Sequence, residues 1–219
     1  MEASKRLEYA ERKIARMLDS SVADVISFAN IEQLVLSGNV WKRLRRPPAA
    51  ALAFSALQHD IMQFQVIKLS RYWDRVDLDA FNLPTVVYLL KNEGVERELI
   101  QRHPLLEERH LIGREQLVRR WFKSSLASIA RIENSQGLLE AQNLRHKFAH
   151  NLELTSAEKD TFVAVPKVRN ILRLVRLTAV NIERLNRCVR GSDFDWAGSL
   201  RISRREANAF WLAETANGR

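Results

Sequence analysis

The segment from position 144 to position 151 carries the densest set of groups suited to catalysis in this sequence. It reads Leu-Arg-His-Lys-Phe-Ala-His-Asn, and its chemically active members are Arg145, His146 and His150. An unperturbed imidazole titrates at about pH 6.5, so a histidine such as His150 can exchange protons near neutral pH. The guanidinium of Arg145 is always cationic and its fork of donors matches the oxygens of a phosphate. These residue types favour proton transfer at a phosphate group.

The spacing of the segment sets a geometric condition on that chemistry. Positions five apart on a regular helix lie ~140° from each other around the axis, so Arg145 and His150 would diverge. They converge if the helix ends at about Ala149, or if a symmetric dimer brings two copies of the segment together. A dimer would supply one histidine as the base for a 2′-hydroxyl of RNA and the other as the acid for the leaving 5′ oxygen. The two arginines would stabilise the charge on the pentacovalent phosphate, and no metal or other cofactor would be required.

Each residue of the segment also has a structural interpretation. Taken alone, His150 is more typical of a helix-end histidine that interacts with its own carbonyls than of a catalytic one. His146 would then orient Arg145 rather than transfer protons. Lys147 and Asn151 are candidate substrate-binding residues, although a solvated lysine and a helix-terminating asparagine would give the same sequence.

The elements that must position this segment are predicted to be helical. The chain of 219 residues has only seven glycines and five prolines, and alternating apolar and polar runs are nearly absent, which predicts a single all-α domain. The histidines at 59, 103 and 110 lack metal-ligand spacing and there is one cysteine, so we expect no metal site. The absence of glycine-rich phosphate loops and of a Gly-x-Ser-x-Gly motif disfavours P-loop hydrolysis, hydride transfer and serine-hydrolase chemistry.

Charge and hydropathy indicate the class of partner. The net charge is +9, and the excess of basic residues lies in residues 1–50 and, more strongly, in 164–219. Such an excess favours RNA or DNA over a membrane. The N-terminal stretch lacks the apolar core of a signal peptide, and no uncharged apolar run approaches the ~20 residues of a membrane helix. We therefore expect a cytoplasmic protein.

Two long helical regions are predicted in the first third of the chain, and the second of them is the most apolar. The first runs from about Ser4 to Leu36, with a potential break at residues 19–21, and the second from about Ala49 to Trp73. Helical spacing predicts a buried stripe on the second, formed by Phe54, Leu57, Ile61, Phe64 and Ile67. Arg71 continues that stripe, so Asp74 is its expected salt-bridge partner.

The remaining helices follow from turn and capping signals. A short helix is expected at about 82–91, and a further helix follows it and ends at about 103. Two more are expected at about 113–132 and 138–148. After them come a short helix capped by Thr155 or Ser156 and a long one from Pro166 to Arg190. A loop is predicted from Ser192 to Ser199, and a capping box at Ser203 predicts a C-terminal helix at about 203–216.

The long helix from Pro166 to Arg190 has an apolar face and a basic face. The apolar face is formed by Ile171, Leu174, Val175, Ile182, Leu185 and Val189. The basic face is formed by Arg169, Arg173, Arg176, Arg184 and Arg187. Five arginines on one face are suited to a phosphate backbone, but a solvated helix face has the same pattern.

The motif resembles that of a known family. Arg145, the polar His146 and His150 after four intervening residues are similar to the three defining positions of the HEPN superfamily (higher eukaryotes and prokaryotes nucleotide-binding). The stretch 67–74, followed by Asn82-Leu83-Pro84, resembles the corresponding region of the abortive-infection branch. The resemblance covers about 49–190 and leaves a helical extension at 1–46 and the C-terminal helix outside it.

The resemblance implies a HEPN-like helical bundle and a homodimeric, metal-independent endoribonuclease that acts as a toxin or in phage defence. It implies RNA as substrate and an antitoxin protein as a further partner. Arg145 and His150, with His146, would be catalytic, and the substrate-binding residues would be Lys147, Asn151, Arg169 and Arg173. The sequence leaves open a non-catalytic helical module that binds RNA or a protein. A DNA-binding regulator is disfavoured because there is no helix-turn-helix pattern.

Overall fold

A computed structural model describes residues 1–36, 42, 48–104, 113–150 and 167–212, and it confirms the all-α prediction for them. Their eight α-helices are α1 (Ala3–Ile31), α2 (Pro48–Tyr72), α3 (Leu83–Leu90), α4 (Val95–Arg102), α5 (Arg114–Glu133), α6 (Gln136–His150), α7 (Val168–Arg190) and α8 (Trp196–Leu212). A π-helical turn, Glu32–Leu36, continues α1. The short helix predicted after Thr155 lies outside the described residues.

Helix α7 lies at the centre of the packing. It contacts α1, α5, α6 and α2, while α1 also packs on α8, α3 and α4, and α6 packs on α2. The predicted apolar face of α7 is confirmed, since all six of its residues are buried. Full burial of a large aliphatic side chain contributes roughly 1.5–3 kcal/mol, so this face is a main source of the fold's stability.

Several helix ends follow from local sequence signals. The side chain of Asn82 accepts a hydrogen bond from the Thr85 backbone N–H at 2.9 Å, and Pro84 occupies the first turn of α3. Helix α7 ends at Gly191, whose φ of 66° lies in the left-handed region. A Cβ at Gly191 would also lie 3.2 Å from the ring of Pro104, so both the backbone conformation and the space favour glycine.

The predicted buried stripe of α2 is wrong over part of its length. Phe54 is buried, but Leu57 is 42% exposed and Phe64 is 54% exposed. The face that packs inward carries Gln65, Val66, Leu69, Ser70 and Trp73. Apolar residues occur on both faces of this helix, so their spacing alone did not identify the inner one. Arg71 consequently lies on the exposed side and needs no buried partner.

Two predicted boundaries are also corrected. The potential break at residues 19–21 does not occur, since α1 is continuous there. Within it the hydroxyls of Ser20 and Ser21 donate to carbonyls of the preceding turn, so their polar groups are satisfied in the helix. The capping box at Ser203 is wrong, since α8 begins at Trp196 and Ser203 is buried in its interior. Asp195 accepts a hydrogen bond from Gly198 N–H at 2.8 Å, and the burial of Trp196 also stabilises the N-terminus of α8 at this position.

Within the described ranges, no helix combines the length and the apolarity needed to cross a bilayer.

Candidate functional site

The motif helix α6 is fastened to its neighbours one turn before Arg145. Gln142 Nε2 donates to the carbonyl oxygen of Trp73 at 3.2 Å, at the end of α2. The indole Nε1 of Trp73 donates to Thr178 Oγ1 of α7 at 2.9 Å. Trp73 therefore connects α2, α6 and α7 immediately beside the position where Arg145 and Asp74 meet.

The guanidinium of Arg145 forms an ion pair with the carboxylate of Asp74 through its NH1 group. The predicted pair of Asp74 with Arg71 is wrong, because Arg71 is exposed and Asp74 turns to α6 instead. The Arg145 side chain keeps 30% of its surface exposed and that of Asp74 keeps 41%. Solvent screens such a pair, which contributes at most about 1 kcal/mol, so it orients Arg145 more than it stabilises the fold.

Arg145 and Asp74 line an open cleft of about 470 Å³. Its other lining residues are Arg75, Asp77, Ala80, Asn82 and Gln142. Clefts of this size accept small ligands such as a nucleotide. Asn82 is fixed there by a bond from its amide to the Arg75 carbonyl at 3.2 Å, so this wall of the cleft is preorganised. The structure thus brings the motif arginine beside Asp74 and Asn82, which belong to the other stretches on which the family resemblance was based, 67–74 and 82–84.

The backbone of α6 remains helical through His150. Positions 145 and 150 of this helix lie ~140° apart around its axis. The side chains of His146, Lys147 and His150, and the whole of Asn151, lie outside the described residues. Their predicted roles stay predictions.

The predicted arginine face of α7 divides into two parts. Arg169, Arg173 and Arg176 are exposed and form no ion pair with any residue in the described ranges. Arg187, by contrast, pairs with Glu183 and Asp193 and lies over the ring of Trp121 at 5.9 Å. Arg184 is also exposed, and it donates to Ser128 Oγ at 3.5 Å without an ion pair in the described ranges. Three of the four arginines without an ion pair there therefore lie in the N-terminal half of this face, and they include both α7 residues predicted to bind substrate.

A buried polar cluster close to Arg145 was missed by the sequence reasoning. The carboxylate of Asp24 on α1 accepts a bond from Lys68 Nζ at 2.7 Å and another from Tyr72 OH at 2.8 Å, both on α2. Desolvation raises the pKa of the Tyr72 phenol, and the neighbouring Asp24 charge raises it further. A spacing of four residues between Lys68 and Tyr72 on one helix was the available signal.

The other candidate reactive groups take no part in this region. Cys188 is buried in the core, where desolvation raises the pKa of its thiol to about 12. A thiol of that kind is a packing group rather than a nucleophile. Among the described residues, no three His, Cys, Asp or Glu side chains are grouped so that they could hold a metal ion.

Comparison with known proteins adds no assignment to this geometry. No family model matches the chain, and no curated protein or solved structure matches it.

Proposed function

We propose that this chain is a metal-independent endoribonuclease of the HEPN type, which works as a homodimer in the cytoplasm as a toxin or phage-defence effector. The observation that supports this most is the setting of Arg145. Its permanent cation lines an open cleft and is oriented by Asp74. A guanidinium has five N–H donors, more than one carboxylate contact uses, so it can hold a phosphate and Asp74 together.

The proposed reaction is cleavage by the RNA 2′-hydroxyl. The hydroxyl oxygen attacks the adjacent phosphorus while His150 of one subunit takes its proton, and the bond from phosphorus to the 5′ oxygen breaks. The second His150 gives a proton to that leaving oxygen. Arg145 stabilises the charge on the pentacovalent phosphate, and the products are a 2′,3′-cyclic phosphate and a 5′-hydroxyl. An antitoxin protein would be the expected inhibitor of such an activity.

Cleavage of end-labelled RNA in the presence of a metal chelator tests this proposal. Wild type should yield 2′,3′-cyclic phosphate ends, and His150→Ala should lose roughly 10²–10⁴-fold in rate, the usual contribution of a general acid or base. His59→Ala, on the exposed side of α2, is the matched control and should cleave like wild type. A His150→Ala variant as fast as wild type, or sedimentation of the active species as a monomer of 25.3 kDa, would contradict the mechanism.

A second candidate function is a non-catalytic module that binds RNA. It is favoured by Arg169, Arg173 and Arg176, whose charges are exposed and unpaired in the described part of the chain. Such a module would bind RNA in a salt-sensitive way without turnover. Binding would be lost on charge reversal of these three arginines and kept in His150→Ala.

A further inference from the structure

A second cleft, of about 510 Å³, adjoins the one that Arg145 lines. It lies between α1, α2 and the loop that follows α2, and its functional lining residues are Asp24, Lys68, Arg71, Tyr72, Asp74 and Phe81. Asp74 and Ala80 line both clefts, so the two form a continuous surface. A ligand in the second cleft would therefore extend directly towards Arg145.

Among the residues that the structure describes, one cation of the second cleft has no counter-ion. Asp24 is paired with Lys68, and Asp74 is paired with Arg145. Arg71 is exposed and forms no ion pair with any residue in the described ranges. A bidentate guanidinium at the mouth of a cleft is suited to a phosphate.

An aromatic ring stands on the opposite wall. Phe81 lines the cleft and keeps 53% of its surface exposed. It belongs to the loop between α2 and α3. That loop is anchored, because Lys13 Nζ donates to the carbonyls of Leu78 and Ala80 at 2.6 and 2.7 Å. The same ammonium lies 5.0 Å from the centre of the Phe81 ring. An exposed ring on a fixed backbone is the arrangement that proteins use to stack bases of single-stranded nucleic acid.

We propose that this second cleft binds one nucleotide of single-stranded RNA, with the base stacked on Phe81 and the phosphate held by Arg71. The choice of RNA rests on the proposed function. Asp24 fixes the position of the Lys68 ammonium in the wall of the cleft. Tyr72 remains a neutral phenol that can form hydrogen bonds. The strand then runs past Asp74 into the cleft of Arg145, so Phe81 and Arg71 position the phosphate to be cut.

Binding of a fluorescent, fully 2′-O-methylated single-stranded oligonucleotide tests the inference apart from catalysis, because this probe lacks the nucleophile. Phe81→Ala should weaken binding about five- to a hundredfold, the usual effect of losing one stacked base. Arg71→Gln should weaken it several-fold and lower the slope of log affinity against log salt by about one. Phe81→Trp should retain binding and show quenched indole emission when the probe is added.

Matched controls lie on α8. Phe210→Ala removes a ring that is 73% exposed, and Arg205→Gln removes an exposed arginine, and both should bind the probe like wild type. The inference is overturned if Phe81→Ala and Arg71→Gln bind like wild type, if the controls lose as much, or if Phe81→Trp shows no quenching. It is equally overturned if Phe81→Ala converts a dimer to a monomer, since the cleft would then receive a second copy of the chain.

The same probe separates this inference from the proposed activity. His150→Ala should bind it with wild-type affinity. Binding that depends on Phe81 in a protein that cleaves no RNA would contradict the nuclease and leave the nucleotide cleft standing. Cleavage by a protein whose binding ignores Phe81 would contradict the cleft alone.

Discussion

At the residue scale, Asp74 determines what Arg145 can do. Its carboxylate orients the guanidinium, yet it also places a negative charge in the cleft that a phosphate would enter. These two effects act in opposite directions on binding and on turnover. Asp74 and Arg145 lie 71 positions apart in the sequence. Helical spacing relates only residues three or four positions apart, so it could not predict that these two residues pair.

Replacing Asp74 by asparagine should separate the two effects. Asp74→Asn should lower KM for RNA, because a repulsive charge is gone, and lower kcat by about tenfold or more, because Arg145 loses its orienting partner. Asp77→Asn is the matched control, since it removes the same charge from the same cleft without a contact to Arg145. It should lower KM and leave kcat unchanged. Equal kcat values for the two variants would exclude an orienting role for Asp74.

His103 makes the stability of the fold depend on pH. Burial lowers its pKa below the ordinary value of 6.5, and hydrogen bonding to the backbone of Arg187 and Cys188 offsets only part of the effect. With a depressed folded-state pKa, the unfolded chain binds more protons, so the free energy of unfolding falls as pH drops through 6.5 towards the folded value. Urea unfolding at about pH 7.5 and about pH 5.5 should show this loss. His103→Gln should lose less over the same interval; an equal loss would assign the pH dependence to other groups.

At the element scale, the loop between α2 and α3 is held by a lysine of α1. Lys13 is buried, and desolvation lowers its pKa, yet its ammonium donates to two loop carbonyls. Lys13→Met would leave the Leu78 and Ala80 acceptors without that donor. The expected cost is about 1–3 kcal/mol in the free energy of unfolding, with faster amide hydrogen exchange at 77–82. Lys5→Met, at an exposed position of α1, is the control and should change neither.

The buried face of a helix was predictable only where polar and apolar residues lie on opposite sides of it. In α7 the arginines and the aliphatic residues occupy opposite sides, so its inner face could be predicted from the sequence. In α2 apolar residues lie on both sides, and only contact with the other helices selects the face of Val66 and Leu69. The start of α8 was also not predicted. The sequence has a capping pattern at Ser203, but the helix begins at Trp196, whose side chain is buried by contacts that the local sequence does not show.

At the scale of the whole molecule, the packing of helices from distant parts of the chain forms the candidate site, and the motif segment alone does not. The motif could be recognised in the sequence and Arg145 within it, but Asp74, Lys68 and Phe81 come together only when α1, α2 and α6 assemble. The net charge of +9 is a property of the whole chain, and charge alone selects no site.

The bond from Trp73 to Thr178 has a consequence for synthesis of the protein on the ribosome. The Asp74–Arg145 pair cannot form until α6 has emerged, and Trp73 is not fixed beside it until residue 178 of 219 follows. Nascent chains emerge from the N-terminus and complete a domain only when its distant partners are present. The cleft that Arg145 lines would thus remain incomplete through most of the chain's own translation.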